Sequence, residues 1–238
     1  MDIVYVVRPG DKNEELRYSL RTLSNIDHDK VWVVGYKPCW VTNVGYIEGN
    51  NRGEAWLNAN GNHEIIASCK HISREFVFMN DDFFFLKQVD YEYLKDSSHH
   101  WRFSLKEHVD KTRKRGPKRY YLALNNTLEA LRSMGHENPV AFTLHTPMLI
   151  DRVVLSEAIN TAPLNKEIPY EMRSLYGNFA GLYRGPEDRR RDYKYYSGRG
   201  GTLIDRHFAS TDDHSFKRTK AAKQIRSMFP EPSSYELT

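Results

Sequence analysis

The chain has 238 residues, 39% hydrophobic and 13% aromatic, so it carries apolar material for one α/β core. Its net charge of +4 comes from lysines and arginines spread along the chain apart from two clusters, a balance that suits anionic small molecules as well as nucleic acid. The two cysteines, Cys39 and Cys69, match no metal-ligand spacing and are too few for a disulfide framework. No run approaches the ~20 apolar residues of a membrane span, and the start of the chain lacks a secretory pattern. A cytoplasmic protein with no membrane span is therefore expected.

In chain order, Ile3–Val7 is a continuous β-branched and aromatic run, as in a buried strand of a largely parallel sheet. A turn at Pro9-Gly10 leads to a helix over Glu14–Leu23, with Leu16, Leu20 and Leu23 on one face and Arg17 and Arg21 beside them. Val31–Val34 is a second strand, ended by Gly35, which opens a βαβ unit. Residues 36–53 read as an irregular loop and Glu54–His71 as a helix with Trp56, Ile65, Ile66 and Cys69 toward the sheet. Phe76–Met79 is a third strand, followed at once by Asn80-Asp81-Asp82 and then Phe83–Leu86.

The charged segment 95–120 is predicted to be a mobile loop. Helices are predicted over Tyr120–Met134 and Asp151–Ile159, with a short strand at Val140–Leu144 running into His145. The Arg-, Tyr- and Gly-rich stretch 184–201 is predicted to be a second mobile loop, its glycines serving as hinges of a cover. A strand over Thr202–Ser210 precedes Thr211-Asp212-Asp213-His214, one helix covers Ser215–Met228, and Phe229–Ser233 is a terminal turn. One unit, 1–238, with a mainly parallel central sheet flanked by helices accommodates these elements.

Asp81 and Asp82 stand where a buried strand ends, the position at which open α/β sheets bind ligands. Adjacent carboxylates repel unless a cation or shared proton relieves them, and Mg²⁺ is commonly held by one or two carboxylates plus substrate phosphates. The competing assignment is a cap on the following helix or turn. Asp212-Asp213 repeats the pattern after another strand, and two such pairs suggest a shared site. His145 is a candidate general base and Arg152 a candidate phosphate ligand, while His214 competes with His145 for the proton. The basic clusters Lys111–Arg119 and Arg189–Arg199 suit phosphates or a polyanion, or are solvated loops.

Four stretches together carry a resemblance. They are Asp2–Val7; Glu15–Leu23 continuing through Val31–Val34 to Phe76–Leu86; His145–Arg152; and Phe208–Asp213 with the ending Phe229–Glu236. In this order, over nearly the whole chain, they resemble the Stealth-type sugar-phosphate transferases, which include bacterial capsule polymerases and the lysosomal N-acetylglucosamine-1-phosphotransferase. The chain is compact beside that family, and Val7-Arg8-Pro9-Gly10 replaces its usual Trp-Val-Asp-Gly run. The resemblance implies a Rossmann-like, GT-A-related fold, a divalent cation and a nucleotide-sugar donor, usually a UDP-sugar. It points to His145, Arg152 and the two acidic pairs.

The resulting expectation is a transferase moving a sugar or sugar 1-phosphate to a hydroxyl of a glycan or other acceptor. Asp81, Asp82 and Asp213 would hold Mg²⁺ or Mn²⁺. Asn80, Asp81, Arg17 and Arg21 would hold the donor, and His145, Arg152 and Asp82 would carry catalysis. The alternatives are a glycosyltransferase releasing nucleoside diphosphate and a non-catalytic nucleic-acid- or polyanion-binding protein.

Overall fold

The computed structural model describes residues 1–10, 12–50, 53–96, 103–182, 194, 195, 203 and 206–237, with the side chains of 115 and 213–215 excepted. Its centre is a five-stranded sheet of β1 (Asp2–Val7), β2 (Val31–Gly35), β3 (Gly45–Glu48), β4 (Glu75–Asn80) and β8 (Met148–Asp151). The order is β3-β2-β1-β4-β8; the first four are parallel and β8 runs antiparallel to β4. The remaining strands form two small ladders, β5 (Phe83–Phe85) with β9 (Phe208–Ser210) and β6 (Phe103–Ser104) with β7 (Val140–Ala141).

Side chains alternate across a strand with period two, which explains why the central runs are apolar throughout. Ile3, Tyr5, Val33, Val77 and Met79 face one core, shared with Leu16, Leu20 and Leu23 of α1 (Glu14–Arg21) and the 3₁₀ turn after it. Val4, Val34, Phe76 and Phe78 face the other core. That core is closed by α2 (Ala55–Ser68), α5 (Lys118–Ser133), α6 (Arg152–Thr161) and α7 (Met172–Phe179). Trp32 lies across Gly45 of the neighbouring strand, where an added Cβ would sit 2.3 Å from the indole. Only glycine fits there, and the indole N–H is satisfied by Asp2 Oδ2 at 2.8 Å.

The three phenylalanines of β5 divide between two cores. Phe83 and Phe85 enter the α1 side. Phe84 stacks on Phe216 of α8 (Asp213–Arg218) at 5.5 Å, in a third cluster with Ile225 of α9 (Lys220–Met228). Fully burying a phenylalanine contributes about 1.5–3 kcal/mol, so this strand anchors the C-terminal helices to the sheet.

Several elements differ from the sequence reading. The 95–120 segment is not a loop where it is described: α3 (Tyr91–Lys95) precedes it, α4 (Leu105–Arg115) fills its centre, and α5 begins at Lys118. Leu105, Val109 and Thr112 are buried at i, i+4 and i+7, and that narrow stripe suffices to seat a helix whose other faces are charged. The expected loop 36–53 contains β3. The expected helix from Asp151 begins one residue later, because Asp151 closes β8 and caps α6 by accepting from the N–H groups of Val153 and Val154. The expected helix over Ser215–Met228 is two helices, broken where Thr219 caps α9 through the N–H of Ala222. Trp56 is 39% exposed rather than facing the sheet. The predicted cover 184–201 lies outside the described residues except at Lys194 and Tyr195. No helix among the described residues is long and apolar enough to cross a membrane.

Candidate active site

The parallel strands β1 and β4 pair side by side with Val6 opposite Asn80. The chain leaves β1 toward β2 on one side, while β4 lies on the other, so the strand order reverses between them. A crevice outside the carboxyl ends of such strands is where open α/β sheets bind ligands. Asn80-Asp81-Asp82 leaves β4 at this crevice and turns directly into β5, so the acidic pair caps no helix. Asp81 lies close enough to the Tyr5 hydroxyl to act on it: burial pushes that phenol well up, and the Asp81 charge adds to the shift. Ser19 locks the turn from below, bonding to Tyr5 and donating to the Phe83 carbonyl.

The second acidic pair reaches the first through the β5–β9 ladder, which sets Ser210 opposite Phe83. The Thr211 N–H donates to the Asp82 carbonyl at 3.2 Å, and Ser210 Oγ donates to Asp82 Oδ2 at 3.2 Å. Lys194 Nζ stands 3.6 Å from the same carboxylate oxygen and supplies a positive charge beside it. Thr211 is fully buried, and its hydroxyl has no hydrogen-bond partner among the described residues. Asp212 immediately precedes α8, its carbonyl accepting from the Phe216 N–H at 2.8 Å. The side chains of Asp213 and His214 lie outside the described residues.

His145 arrives from the other direction. β8 runs antiparallel to β4 with Met148 opposite Phe78, so the chain just before Met148 lies level with Asn80. The His145 ring meets the Phe83 ring edge-on at 6.3 Å. On the same ring lies the guanidinium of Arg173, 5.7 Å from its centroid. Arg173 is 7% exposed; it donates from Nη1 to the Thr146 carbonyl at 2.7 Å and from Nη2 to the Thr146 hydroxyl at 3.2 Å. It belongs to the first turn of α7, which Glu171 caps by accepting from the Ser174 N–H at 2.7 Å. Burial pushes the Glu171 carboxyl up, against the opposing pull of Ser174 and Arg173.

Three expected site residues are elsewhere. Arg152 follows β8 at its far end, where its N–H bonds Arg74 and its guanidinium reaches the carbonyls of Ile72 and Ala67. Arg74, which Arg152 bonds, is six residues before Asn80 along β4, about 20 Å at ~3.3 Å per residue. Arg152 ties α6 to the end of α2, and the buried guanidinium of the site is Arg173. Arg17 and Arg21 are engaged with the chain end. Both grip Glu236, Arg17 at 2.7 Å and Arg21 at 2.8 Å, and Arg17 lies over Trp40. They clamp the C-terminal segment to α1.

The chain matches no known family and no curated protein in sequence comparison.

Among the described residues, no three of His, Cys, Asp and Glu converge as a metal cage. The oxygen donors of the turn, Asn80, Asp81 and Asp82, are hard ligands of the kind that suit Mg²⁺ or Mn²⁺ shared with phosphates. An acidic turn, a histidine and a buried guanidinium around one aromatic ring can hold a charged phosphate ester and accept a proton beside it. Arg173 carries no mark in the sequence beyond its place two residues after the capping Glu171. Lys194 is marked only as a member of the basic cluster Arg189–Arg199, and Thr211 only as the residue before the second acidic pair.

Proposed function

We propose that this chain is a nucleotide-sugar-dependent transferase of the Stealth type, with a Rossmann-like, GT-A-related sheet, moving a sugar 1-phosphate to an acceptor hydroxyl. One observation carries the reading: the two acidic segments meet at the β1/β4 crevice, with His145 and Arg173 gathered on the Phe83 ring next to Asp82.

In this mechanism Asp81 and Asp82, with Asn80, would hold Mg²⁺ or Mn²⁺, with Asp213 the further ligand that the sequence suggests; when bound, the ion would neutralise charge on the donor diphosphate. Arg173, held by Thr146, presents a preorganised cation to the transferred phosphate. His145 takes the proton of the acceptor hydroxyl as its oxygen bonds to the sugar-bearing phosphorus. The bond from that phosphorus to the bridging oxygen breaks, and the nucleoside monophosphate leaves with the electron pair. The Thr211 N–H and the Ser210 hydroxyl hold the Asp82 turn in place. A UDP-sugar is the expected donor and a glycan hydroxyl the expected acceptor.

The test is incubation with UDP-, GDP- and CMP-sugars and simple sugar acceptors, with Mg²⁺, Mn²⁺ or EDTA, and identification of the released nucleotide. Metal-dependent release of UMP or GMP supports the reading. Release of UDP or GDP makes the chain a glycosyltransferase, and no turnover with any donor refutes both.

A further inference from the structure

A second surface begins beside this site and is independent of its carboxylates. Four rings form a ladder on α2, α5, α4 and β6. Trp56 stacks on Tyr120 with centroids 5.7 Å apart and planes at 27°. Tyr120 meets His108 at 5.6 Å, and His108 meets Phe103 at 5.1 Å. The Tyr120 hydroxyl and His108 Nε2 are hydrogen-bonded at 2.9 Å, and Arg119 joins Glu54 at 2.8 Å, fixing the first turn of α5 against that of α2. The ladder is not core: Trp56 is 39% exposed, and the other three rings are half-buried.

Both ends of the ladder reach the carboxyl edge of the sheet. Trp56 is in the first turn of α2, which follows the carboxyl end of β3. Phe103 pairs with Ala141, only four residues before His145, a reach of at most about 14 Å. The flank is strongly positive. Residues 105–119 contain seven lysines and arginines against two carboxylates. Lys106 and Lys111 are more than half exposed, and Lys111 Nζ sits 4.5 Å over the Phe103 ring.

We propose that this aromatic, basic ridge binds an acidic glycan, a saccharide chain bearing phosphate, sulfate or carboxylate groups, and leads it toward His145. The exposed indole offers a flat apolar face to a sugar ring, and the cations of α4 and α5 complement its anionic groups. Single-stranded nucleic acid is the less suited occupant. It stacks successive bases on successive ring faces, whereas here the rings beyond Tyr120 meet at 79° and 50° and offer no run of parallel faces. The inference deepens the transferase reading by naming the class of its acceptor, and so rests on that reading for its biological role.

The test reads binding alone, in EDTA and without donor, so it stands whether or not turnover is found. A heparin-derived octasaccharide, a neutral dextran oligomer of similar length and a labelled dT20 are titrated by calorimetry or anisotropy at 50 and 200 mM salt. The expected result is salt-sensitive binding of the acidic octasaccharide, no binding of dextran, and weaker binding of dT20. Trp56→Ala is expected to weaken octasaccharide binding about tenfold, the equivalent of one well-seated contact. The surface pair Lys111→Glu and Lys114→Glu is expected to weaken it further without altering the circular dichroism. No octasaccharide binding, binding indifferent to both variants, or dT20 bound as tightly as the octasaccharide would overturn the proposal. Ridge binding without donor turnover would leave the proposal standing and remove the transferase reading.

Discussion

Replacing Glu236 by alanine separates two accounts of Arg17 and Arg21, as ligands of a donor or as a clamp on the chain end. The Glu236 carboxylate is 1% exposed and accepts from Arg17 Nη1 at 2.7 Å, Arg21 Nε at 2.8 Å and Arg21 Nη2 at 3.0 Å. It also accepts from the Ser233 N–H at 2.8 Å and the Ser233 hydroxyl at 3.2 Å. Breaking a buried pair by removing one partner costs about 3–5 kcal/mol. Arg17 is 30% exposed and regains water, and Arg21 keeps the carbonyls of Phe229 and Pro230, so the lower end, about 3 kcal/mol, is expected.

For a chain of this length that is a fall in melting temperature of about 6–12 °C. Differential scanning fluorimetry and urea unfolding read it directly. Burial works to raise the Glu236 carboxyl, but the bonds from Arg21, Ser233 and Arg17 outweigh it and hold the group below the ordinary carboxylate range. Its contribution is therefore present above the unfolded value and is lost as pH falls through the lower folded one, so wild type and variant converge in strong acid. Arg21→Met is expected to lower the melting temperature in the same way with the donor KM unchanged. A Glu236→Ala protein that melts within a degree of wild type, or an Arg21→Met protein of unchanged stability and raised KM, would refute the clamp.

Two further outcomes are expected. His63 packs against Phe78 and Tyr170, and burial pushes its imidazole down to about 4. The unfolded chain then binds the extra proton between about pH 6.5 and 4. Stability is full above that window and falls within it by about 2–3 kcal/mol, a loss that His63→Leu should remove in urea titrations at pH 7.5 and 4.5. Arg173→Lys keeps the charge but not the paired bonds to Thr146. It should lower kcat about 100-fold with a loss of stability near 1 kcal/mol, read from turnover and from urea unfolding; unchanged kcat would remove Arg173 from the site.

Much of the central sheet was legible because burial on both faces writes a strand as an unbroken apolar run, as at Ile3–Val7, Val31–Val34 and Phe76–Met79. The elements that were missed have weaker signatures. β3 is four residues of alternating exposure at a sheet edge, β8 runs straight into a helix, and α4 shows only Leu105, Val109 and Thr112 to the core. For the candidate site, the position of each acidic pair after a strand was legible, and the β5–β9 ladder that joins the two segments was not. The separation of Arg152 from His145 was not legible, because β8 carries the chain across the sheet to its opposite edge. Arg173 was invisible among 35 lysines and arginines, since its burial on Phe83 and Thr146 arises only from tertiary packing.

The central claim is that the Asp81-Asp82 turn is the working centre of a nucleotide-sugar transferase. The most direct test is donor turnover by wild type, Asp82→Asn and Arg152→Ala, each checked for its melting temperature, with the best donor of the panel and saturating Mn²⁺. The account predicts that Asp82→Asn, though folded, loses at least about 100-fold in kcat, on the scale of a deleted charge-stabilising group, while Arg152→Ala keeps its kcat. Turnover by Asp82→Asn at the wild-type rate, or its loss in Arg152→Ala alone, would contradict it.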